Sequence, residues 1–250
     1  MVTFPEFIAE KADEGFTLGL RSSLLEKYGF EIGDYEKRTT PKETLAVKSR
    51  HRNSYVIEAK RDGKISYYFL KRGSSETDTF SEKEGYDKIK QAVEDNVPEM
   101  LVYDKKNKCI VYQYIEGKII VYANPENIPQ ANAIVSQVAD IHKKIHSHKQ
   151  DDKTLIHKDA RLSNYILDST GKINIIDFHF VDYGNVFWDF LVFSQTLQEA
   201  YNNHLSNSSS FYLNCCFDGE PSEEYKKWAK GKTKFSIPFP NWFLKDQGMK

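Results

Sequence analysis

The stretch His157-Lys-Asp159-Ala-Arg-Leu-Ser-Asn164, followed by Ile176-Asp177-Phe178, decides how the rest of this 250-residue sequence is interpreted. It places an Asn five residues after one Asp, and a second Asp thirteen residues after the Asn. A phosphoryl-transfer site needs a carboxylate that holds the acceptor hydroxyl and oxygen ligands that hold magnesium on the nucleotide phosphates. The pattern therefore predicts Asp159 in the first role and Asn164 and Asp177 in the second.

The residues between these side chains support their convergence. An apolar sequence with a turn signal at 168–171 predicts a β-hairpin over 165–176. A two-stranded hairpin returns the chain to its starting edge, so we expect Asp159, Asn164 and Asp177 to meet at one end of it. The alternative is a surface loop in which Asp and Asn only form turns and helix caps.

Composition and charge exclude several classes of function. Lys and Arg number 35 and Asp and Glu 36, so no excess of charge indicates a nucleic-acid partner or an anionic membrane. The sequence contains no apolar run long enough for a membrane span, and its N-terminus lacks a signal-peptide core. Three cysteines, Cys109, Cys215 and Cys216, form a poor disulfide framework and favour a reducing, cytoplasmic setting.

Three histidines, His142, His146 and His148, suggest a metal site because the first two are four residues apart. They lie in a segment whose isoleucines and valines recur at helical spacing. No cysteine or carboxylate beside them completes a ligand set. We therefore predict an amphipathic helix with core histidines in preference to a metal site.

The sequence changes character near Gly117. The first forty residues are predicted to be helix and connector, and strands are predicted over 55–59, 65–71, 100–103 and 109–114, with a surface helix over 79–93. After Gly117 the pattern is mainly helical, broken by the hairpin. We therefore predict an α+β fold with a small antiparallel-sheet lobe over 1–116 and a helical lobe over 117–250.

A nucleotide also needs a cation on its phosphates, and Lys71 is the candidate. It ends a strand of apolar and aromatic residues, which can place its ammonium group inside the protein. Glu84, or with less support Glu82, in the next predicted helix would orient it. The alternatives are an edge-strand lysine that discourages aggregation and a carboxylate on a solvated helix face.

These motifs resemble the aminoglycoside phosphotransferase and choline kinase family over residues 44–193. Besides the catalytic stretch, Gly184-Asn-Val-Phe-Trp-Asp189 resembles a structural segment that normally reads GDxxxD. Val111-Tyr-Gln-Tyr-Ile-Glu-Gly117 resembles the strand and linker that bind adenine, here through backbone groups of Gln113 and Ile115. The resemblance implies a bilobal protein-kinase-like fold, ATP and Mg²⁺ as cofactors, Asp159 as catalytic base, and Lys71 with Glu84 as phosphate anchor and partner.

The sequence departs from that family at two places near the reaction. Lys158 stands where the family usually has glycine. The phosphate-binding loop is expected within 48–54, which contains no glycine, so side chains would contact the phosphates in place of a glycine cradle. The candidates for those contacts are Ser49, Arg50, Asn53 and Ser54.

The acceptor is predicted to be the hydroxyl of a small molecule, such as an amino alcohol, a sugar or an aminoglycoside-like compound. Only eleven residues separate Asp177 from Asp189, without Ser or Thr, whereas a regulated protein kinase has a longer segment with a phosphorylation site. Residues 191–250 carry seven Lys against four Glu and two Asp, which does not favour a polycation. The alternatives are a pseudokinase-type nucleotide-binding or partner-binding module, and a kinase acting on a protein or glycan hydroxyl.

Overall fold

The computed structural model of the protein describes residues 30–37, 53–61, 64–198 and 204–230. These residues form two compact units. The first contains the described residues up to Phe80 together with Pro98–Tyr114, and the second contains Ser81–Val97 and the described residues from Ile115 onward. The predicted division into lobes at 116/117 stays a prediction, and the units differ from it mainly in the placement of Ser81–Val97.

The first unit is built on a five-stranded antiparallel sheet in the order β1-β2-β3-β5-β4. Its strands are β1 (Phe30–Lys37), β2 (Asn53–Arg61), β3 (Lys64–Arg72), β4 (Met100–Asp104) and β5 (Cys109–Gln113). Alternate residues of β3 and four consecutive residues of β5 supply its core, where Leu70, Cys109 and Val111 are fully buried. The predicted strands are present, but β1 contradicts the expectation of helix and connector before residue 40.

Helix α1 (Glu76–Val93) follows β3. Ser75 caps its start, since the Ser75 hydroxyl accepts a hydrogen bond from the Asp78 amide at 3.0 Å. Two acidic residues in its first turn complement the positive end of the helix dipole. The helix begins three residues before the predicted 79–93 segment and ends where it was expected.

The second unit contains four further helices among the residues described. They are α2 (Ile128–His146), α3 (Phe187–Gln198), α4 (Ser209–Phe217) and α5 (Glu223–Lys230). Asn127 caps α2 through its side-chain oxygen, and one face of α2 is fully buried along its length. Helix α3 packs against α4 and α5 in the same unit. A turn of 3₁₀-helix, His204–Asn207, leads into α4.

Two three-stranded antiparallel sheets complete the second unit. One has the order β10-β9-β6, with β6 (Gly117–Ile119), β9 (Tyr165–Asp168) and β10 (Ile173–Ile175). The other has the order β11-β8-β7, with β7 (Lys149–Gln150), β8 (Lys153–Ile156) and β11 (Asp182–Gly184). The β9–β10 hairpin confirms the prediction, whereas the other sheet was not foreseen. In the described part of the chain, no helix is long and apolar enough to cross a membrane.

Candidate active site

The centre of the candidate site is the loop between β8 and β9. His157 to Arg161 forms its first half, and a single turn of 3₁₀-helix, Leu162–Asn164, leads into β9. The side-chain amide of Asn164 donates to the Asp159 carboxylate at 3.0 Å and to the Asp159 carbonyl at 2.7 Å. The structure therefore brings together Asp159 and Asn164, as their five-residue spacing predicted.

A cation that the sequence analysis did not assign also holds Asp159. Nε of Arg161 lies 2.7 Å from one carboxylate oxygen of Asp159, and the two side chains are 14% and 21% exposed. The other carboxylate oxygen accepts from Asn164. Asp159 is thus fixed through both oxygens while still reachable from solvent. Only the position of Arg161, two residues after Asp159, could have indicated this contact.

Asp177 is joined to the catalytic loop through the backbone. The Ile176 amide donates to the Asn164 carbonyl at 2.9 Å, which places the next residue, Asp177, beside Asn164. Asp177 adopts a left-handed backbone conformation with φ of 65°, a region that aspartate tolerates better than most residues. The structure therefore brings Asn164 and Asp177, at the two ends of the hairpin, next to each other.

The oxygen chemistry of Asn164 and Asp177 fits magnesium. Because the Asn164 amide nitrogen donates to Asp159, its Oδ1 is left as the atom that can bind a cation. Asp177 adds a carboxylate, and Mg²⁺ typically takes one or two protein oxygens and fills its remaining positions with water and phosphate. The described residues contain no group of three or more His, Cys, Asp or Glu arranged for a metal ion. A two-ligand magnesium site therefore stays a prediction.

His157 links the catalytic loop, residues 157–164, to the predicted metal-binding segment, residues 176–178. Its ring is fully buried, and Nε2 lies 3.2 Å from the Ile176 carbonyl. Because a carbonyl can only accept, Nε2 carries the proton in this bond. The ring also packs edge-on against Phe178, with centroids 6.4 Å apart. The histidine therefore holds Ile176, the residue before the predicted metal ligand Asp177.

Asp189 fixes the backbone of the loop from α3. Its two carboxylate oxygens accept from the amides of His157 and Lys158, both at 2.8 Å. His146 of α2 contributes a third contact at 3.0 Å, and Asp189 is fully buried. The GDxxxD-like segment thus supplies a clamp for the loop that carries Asp159. The spacing of residues around His146 did not indicate this carboxylate, because Asp189 lies 43 residues away in the chain.

The electrostatics of Asp189 favour its charged form. Burial would raise the pKa of this carboxyl, but the hydrogen bond from His146 outweighs burial, and the pKa is lowered. An ionised Asp189 accepts stronger hydrogen bonds from the two loop amides than a neutral one would. Its position in the first turn of α3 adds the favourable end of a helix dipole.

The predicted core histidine is confirmed at His142. Its ring is fully buried, and its two nitrogens contact the hydroxyls of Tyr165, at 2.6 Å, and Tyr212. Burial lowers the pKa of His142 to about 3, so the ring is neutral near pH 7. This histidine joins α2, β9 and α4 beneath the catalytic loop.

The nucleotide-binding predictions fall partly outside the described residues. Ser49 and Arg50 lie outside them, whereas Asn53 and Ser54 begin β2 and are not in a loop. Ser54 lies directly opposite Lys71 of β3 in the antiparallel register. Directly opposed residues share a face of the sheet, so the structure places Ser54 and half-buried Lys71 side by side.

Burial distinguishes the two carboxylates considered as partners of Lys71. Glu84 lies on the exposed side of α1, whereas Glu82 is only 3% exposed. A solvated glutamate gains little from an ion pair, so burial favours Glu82 over the predicted Glu84. The pairing itself stays a prediction.

The predicted adenine contacts are affected by an internal hydrogen bond. The amide of Gln113 donates to the Glu99 carbonyl at 2.8 Å, so this N–H is already used within the first unit. Any contribution of Gln113 must therefore come from another of its groups. Ile115 is half-buried and begins the next segment of the second unit. Both assignments stay predictions.

The two units have the α+β architecture of the predicted protein-kinase-like fold. The first has the small antiparallel sheet, and the second has most of the helical residues and the hairpin that joins Asn164 to Asp177. No protein-family model and no curated protein matches the sequence. The comparison with solved structures therefore carries the assignment of the fold.

Three solved structures illustrate the similarity. Choline kinase LicA from Streptococcus pneumoniae superposes with a TM-score of 0.59 at 13% identity, covering 94% of this chain and 98% of that one. The streptomycin–ATP complex of APH(2'')-IIa gives 0.63 at 13% identity, with coverages of 94% and 95%. ADP-bound aminoglycoside phosphotransferase APH(2'')-Ib gives 0.58 at 12% identity, with coverages of 95% and 96%. The resemblance seen in the motifs is thus confirmed for the fold.

Proposed function

We propose that this protein is an ATP- and Mg²⁺-dependent phosphotransferase that moves the γ-phosphate to a hydroxyl group of a small molecule. The observation that carries the proposal is the arrangement of Asp159, Asn164 and Asp177 at one end of the β9–β10 hairpin. Structural neighbours that include kinases with bound ATP or ADP support it. A binding module would not require all three side chains in this arrangement.

Asp159 would act mainly by orienting the acceptor. Both of its oxygens already receive a hydrogen bond or a positive charge, which holds the carboxylate in a fixed orientation. In a loose phosphoryl-transfer transition state the hydroxyl proton leaves late, so a weak, well-positioned acceptor of that proton is sufficient. Positioning and charge neutralisation then supply most of the rate enhancement.

The remaining roles follow from the same chemistry. Asn164 Oδ1 and the Asp177 carboxylate would hold Mg²⁺, which when bound neutralises charge on the transferred phosphate. Lys71 would bind the nucleotide phosphates, with Ser54 beside it on the sheet. Arg161 adds a cation within reach of the same reaction centre. The cytoplasmic setting remains a prediction from the cysteine count.

The charges around Asp159 favour an acceptor that is not a polycation. Asp159 is paired with Arg161, and Asp182, one of the carboxylates available in this region, is paired with Lys158 at 2.9 Å. Cationic acceptors need carboxylates that are not already neutralised. We therefore propose an amino alcohol or a sugar in preference to an aminoglycoside.

An ATP-consumption screen over sugars, hydroxy amino acids, choline and aminoglycosides tests the function, with Asp177→Ala as the blank. The decisive variant is Asp159→Asn, which keeps the shape of the side chain and removes its charge. Turnover should fall by about 10²- to 10⁴-fold, the usual contribution of a general base, while nucleotide affinity changes little. Asp152→Asn, in the exposed β7–β8 turn, is the matched control and should be unaffected.

Full activity of Asp159→Asn would contradict the assignment of the base. ATP binding without consumption across the whole panel would favour a nucleotide-binding module. Phosphate found on proteins or glycans but on none of the small acceptors would point to a macromolecular substrate.

A further inference from the structure

Lys158, the residue directly before Asp159, has a left-handed backbone conformation with φ of 63°. Residues that carry a Cβ atom are disfavoured in this region, where glycine is the residue that adopts it freely. Lys158 is unbranched but has none of the short polar side chain that helps Asp or Asn to tolerate it. Contacts made by this residue must therefore stabilise the conformation.

Three contacts hold Lys158, one for each of its functional groups. Its amide donates to Asp189 at 2.8 Å, and its carbonyl accepts from the Trp188 indole at 3.0 Å. Its ammonium group donates to Asp182 at 2.9 Å. The first two contacts would be available to any residue, glycine included. The third depends on the lysine side chain.

Asp182 is placed for this contact by the sheet of the second unit. It begins β11 and lies opposite Ile156 in the register with β8, two residues before Lys158. Its second carboxylate oxygen is 3.8 Å from Lys88 of α1. The hydrogen bond from Lys158, together with the charges of both lysines, lowers the pKa of Asp182 against the effect of its partial burial. Asp182 therefore joins the catalytic loop to β11 and α1 as a carboxylate.

We infer that Asp182 is a positioning residue for the reaction, whose ion pair with Lys158 holds the residue before the catalytic base in its left-handed conformation. The ion pair does what a glycine at residue 158 would achieve without a side chain. Because Asp182 already forms ion pairs with two lysines, this role also explains it better than direct contact with an acceptor. The inference rests on the proposed function only where activity is the readout.

The ion pair is exposed, so its effect on the conformation of the catalytic loop can be distinguished from its effect on global stability. The side chains of Lys158 and Asp182 are 37% and 54% exposed, and pairs of this kind contribute little to global folding. Loss of the pair should therefore leave the melting temperature nearly unchanged. Its effect should be local, on how often the catalytic loop leaves its active conformation.

A double-mutant cycle tests this inference. Asp182→Asn should lower kcat about two- to fivefold with little change in the KM values when residue 158 is lysine. In the Lys158→Gly background the same substitution should have no effect, since glycine adopts this conformation unaided. Asp182→Glu should restore part of the lost kcat. Asp87→Asn breaks the similarly exposed Lys83–Asp87 pair on α1 and is the matched control, with no change expected.

Amide hydrogen exchange provides a readout that needs no acceptor. The amides of His157 and Lys158 bond to Asp189, so their exchange reports opening of the loop. Asp182→Asn should accelerate exchange of the peptide covering 156–161 about two- to fivefold with Lys158 and not at all with Gly at that position. Equal effects in both backgrounds, or none in either, would overturn the inference. Absence of any turnover would reject only the proposed function, and the exchange result would still decide this one.

Discussion

At the scale of single residues, the candidate site depends on groups that hold Asp159 and its neighbours in place. Arg161 forms an ion pair with one oxygen of Asp159, and Asn164 donates a hydrogen bond to the other. Asp189 accepts hydrogen bonds from the amides of His157 and Lys158, the two residues before Asp159. These contacts reduce the freedom of the loop before any ligand binds. Catalysis by positioning requires such rigidity, since small displacements of the reacting groups are costly in rate.

His142 provides a test of this buried network through pH. Its pKa is about 3 in the folded protein against 6.5 when exposed, because burial disfavours the charged ring. Between pH 3 and pH 6.5 the unfolded chain therefore binds a proton at His142 that the folded protein does not bind. This contribution to stability is complete above pH 6.5 and is lost as the pH falls towards 3.

The His142→Gln variant should lose this pH dependence. Between pH 7 and pH 5, the wild-type protein should lose about 2 kcal/mol more unfolding free energy than the variant does. Urea denaturation at a series of pH values measures the difference, with His204→Gln at an exposed position as the control. Parallel stability curves for the wild-type protein and His142→Gln would show that the ring is not held neutral.

At the scale of elements, helix α1 is seated on the metal-binding segment within the second unit. Gly85 faces the backbone of that segment so closely that a Cβ atom there would lie 1.9 Å from the Phe178 carbonyl oxygen. Tyr86, the next residue, packs edge-on against the Phe178 ring with centroids 5.4 Å apart. Phe178 directly follows Asp177, so the position of α1 and that of the predicted metal ligand are linked.

Gly85→Ala should therefore change the free energy of unfolding in two opposite ways, through helix propensity and through packing. Propensity alone would make alanine more stable in a helix by about 1 kcal/mol. The clash with backbone reverses this, and we expect a net loss of about 1–3 kcal/mol, typical of overpacking. Activity should fall, and a higher Mg²⁺ concentration should be needed for half-maximal rate, because the segment carrying Asp177 must shift.

Thermal unfolding and a magnesium titration of the rate measure these two effects. Gln91→Ala, on the exposed side of the same helix, is the control and should be slightly stabilising with normal magnesium dependence. If Gly85→Ala proved more stable and fully active, α1 would not be tightly seated on the metal-binding segment.

The elements also show what the sequence could and could not predict. The β9–β10 hairpin was predictable because its turn signal is local, with Gly171 at φ of 86° and Asp168 accepting from the Thr170 and Lys172 amides. Strands β7, β8 and β11 have two to four residues each and form only through pairings such as Asp182 with Ile156. Short polar strands leave no periodic pattern, so this sheet was missed.

The candidate site shows the same division between local and distant information. Asp159, Asn164 and Asp177 were found because their spacing reflects one hairpin. The clamp formed by Asp189 and His146 joins residues 43 positions apart, which spacing does not reveal. The choice of Glu84 over Glu82 was made without knowledge of which face of α1 is buried, and burial favours the other residue.

At the scale of the whole molecule, binding of nucleotide should stabilise the folded protein. Compared with ATP consumption, this stabilisation distinguishes a kinase from a nucleotide-binding module. A ligand at one hundred times its dissociation constant stabilises the folded state by about 2.7 kcal/mol. For a chain of this length that corresponds to a rise in melting temperature of about 5–10 °C. Thermal-shift titrations with Mg²⁺ and ATP, repeated with GTP, should show this rise and identify the preferred donor.

Variants in the two units should then separate binding from turnover. Asp159→Asn should keep the full thermal shift, because its carboxylate is assigned to the acceptor, while Lys71→Ala should lose most of it by removing the cation assigned to the phosphates. Lys106→Ala, at an exposed position in the same unit as Lys71, is the control and should behave like the wild-type protein. An unchanged shift in Lys71→Ala would remove Lys71 from the nucleotide site. A normal shift in a wild-type protein that consumes no ATP would mean that the intact Asp159, Asn164 and Asp177 arrangement serves nucleotide binding without transfer.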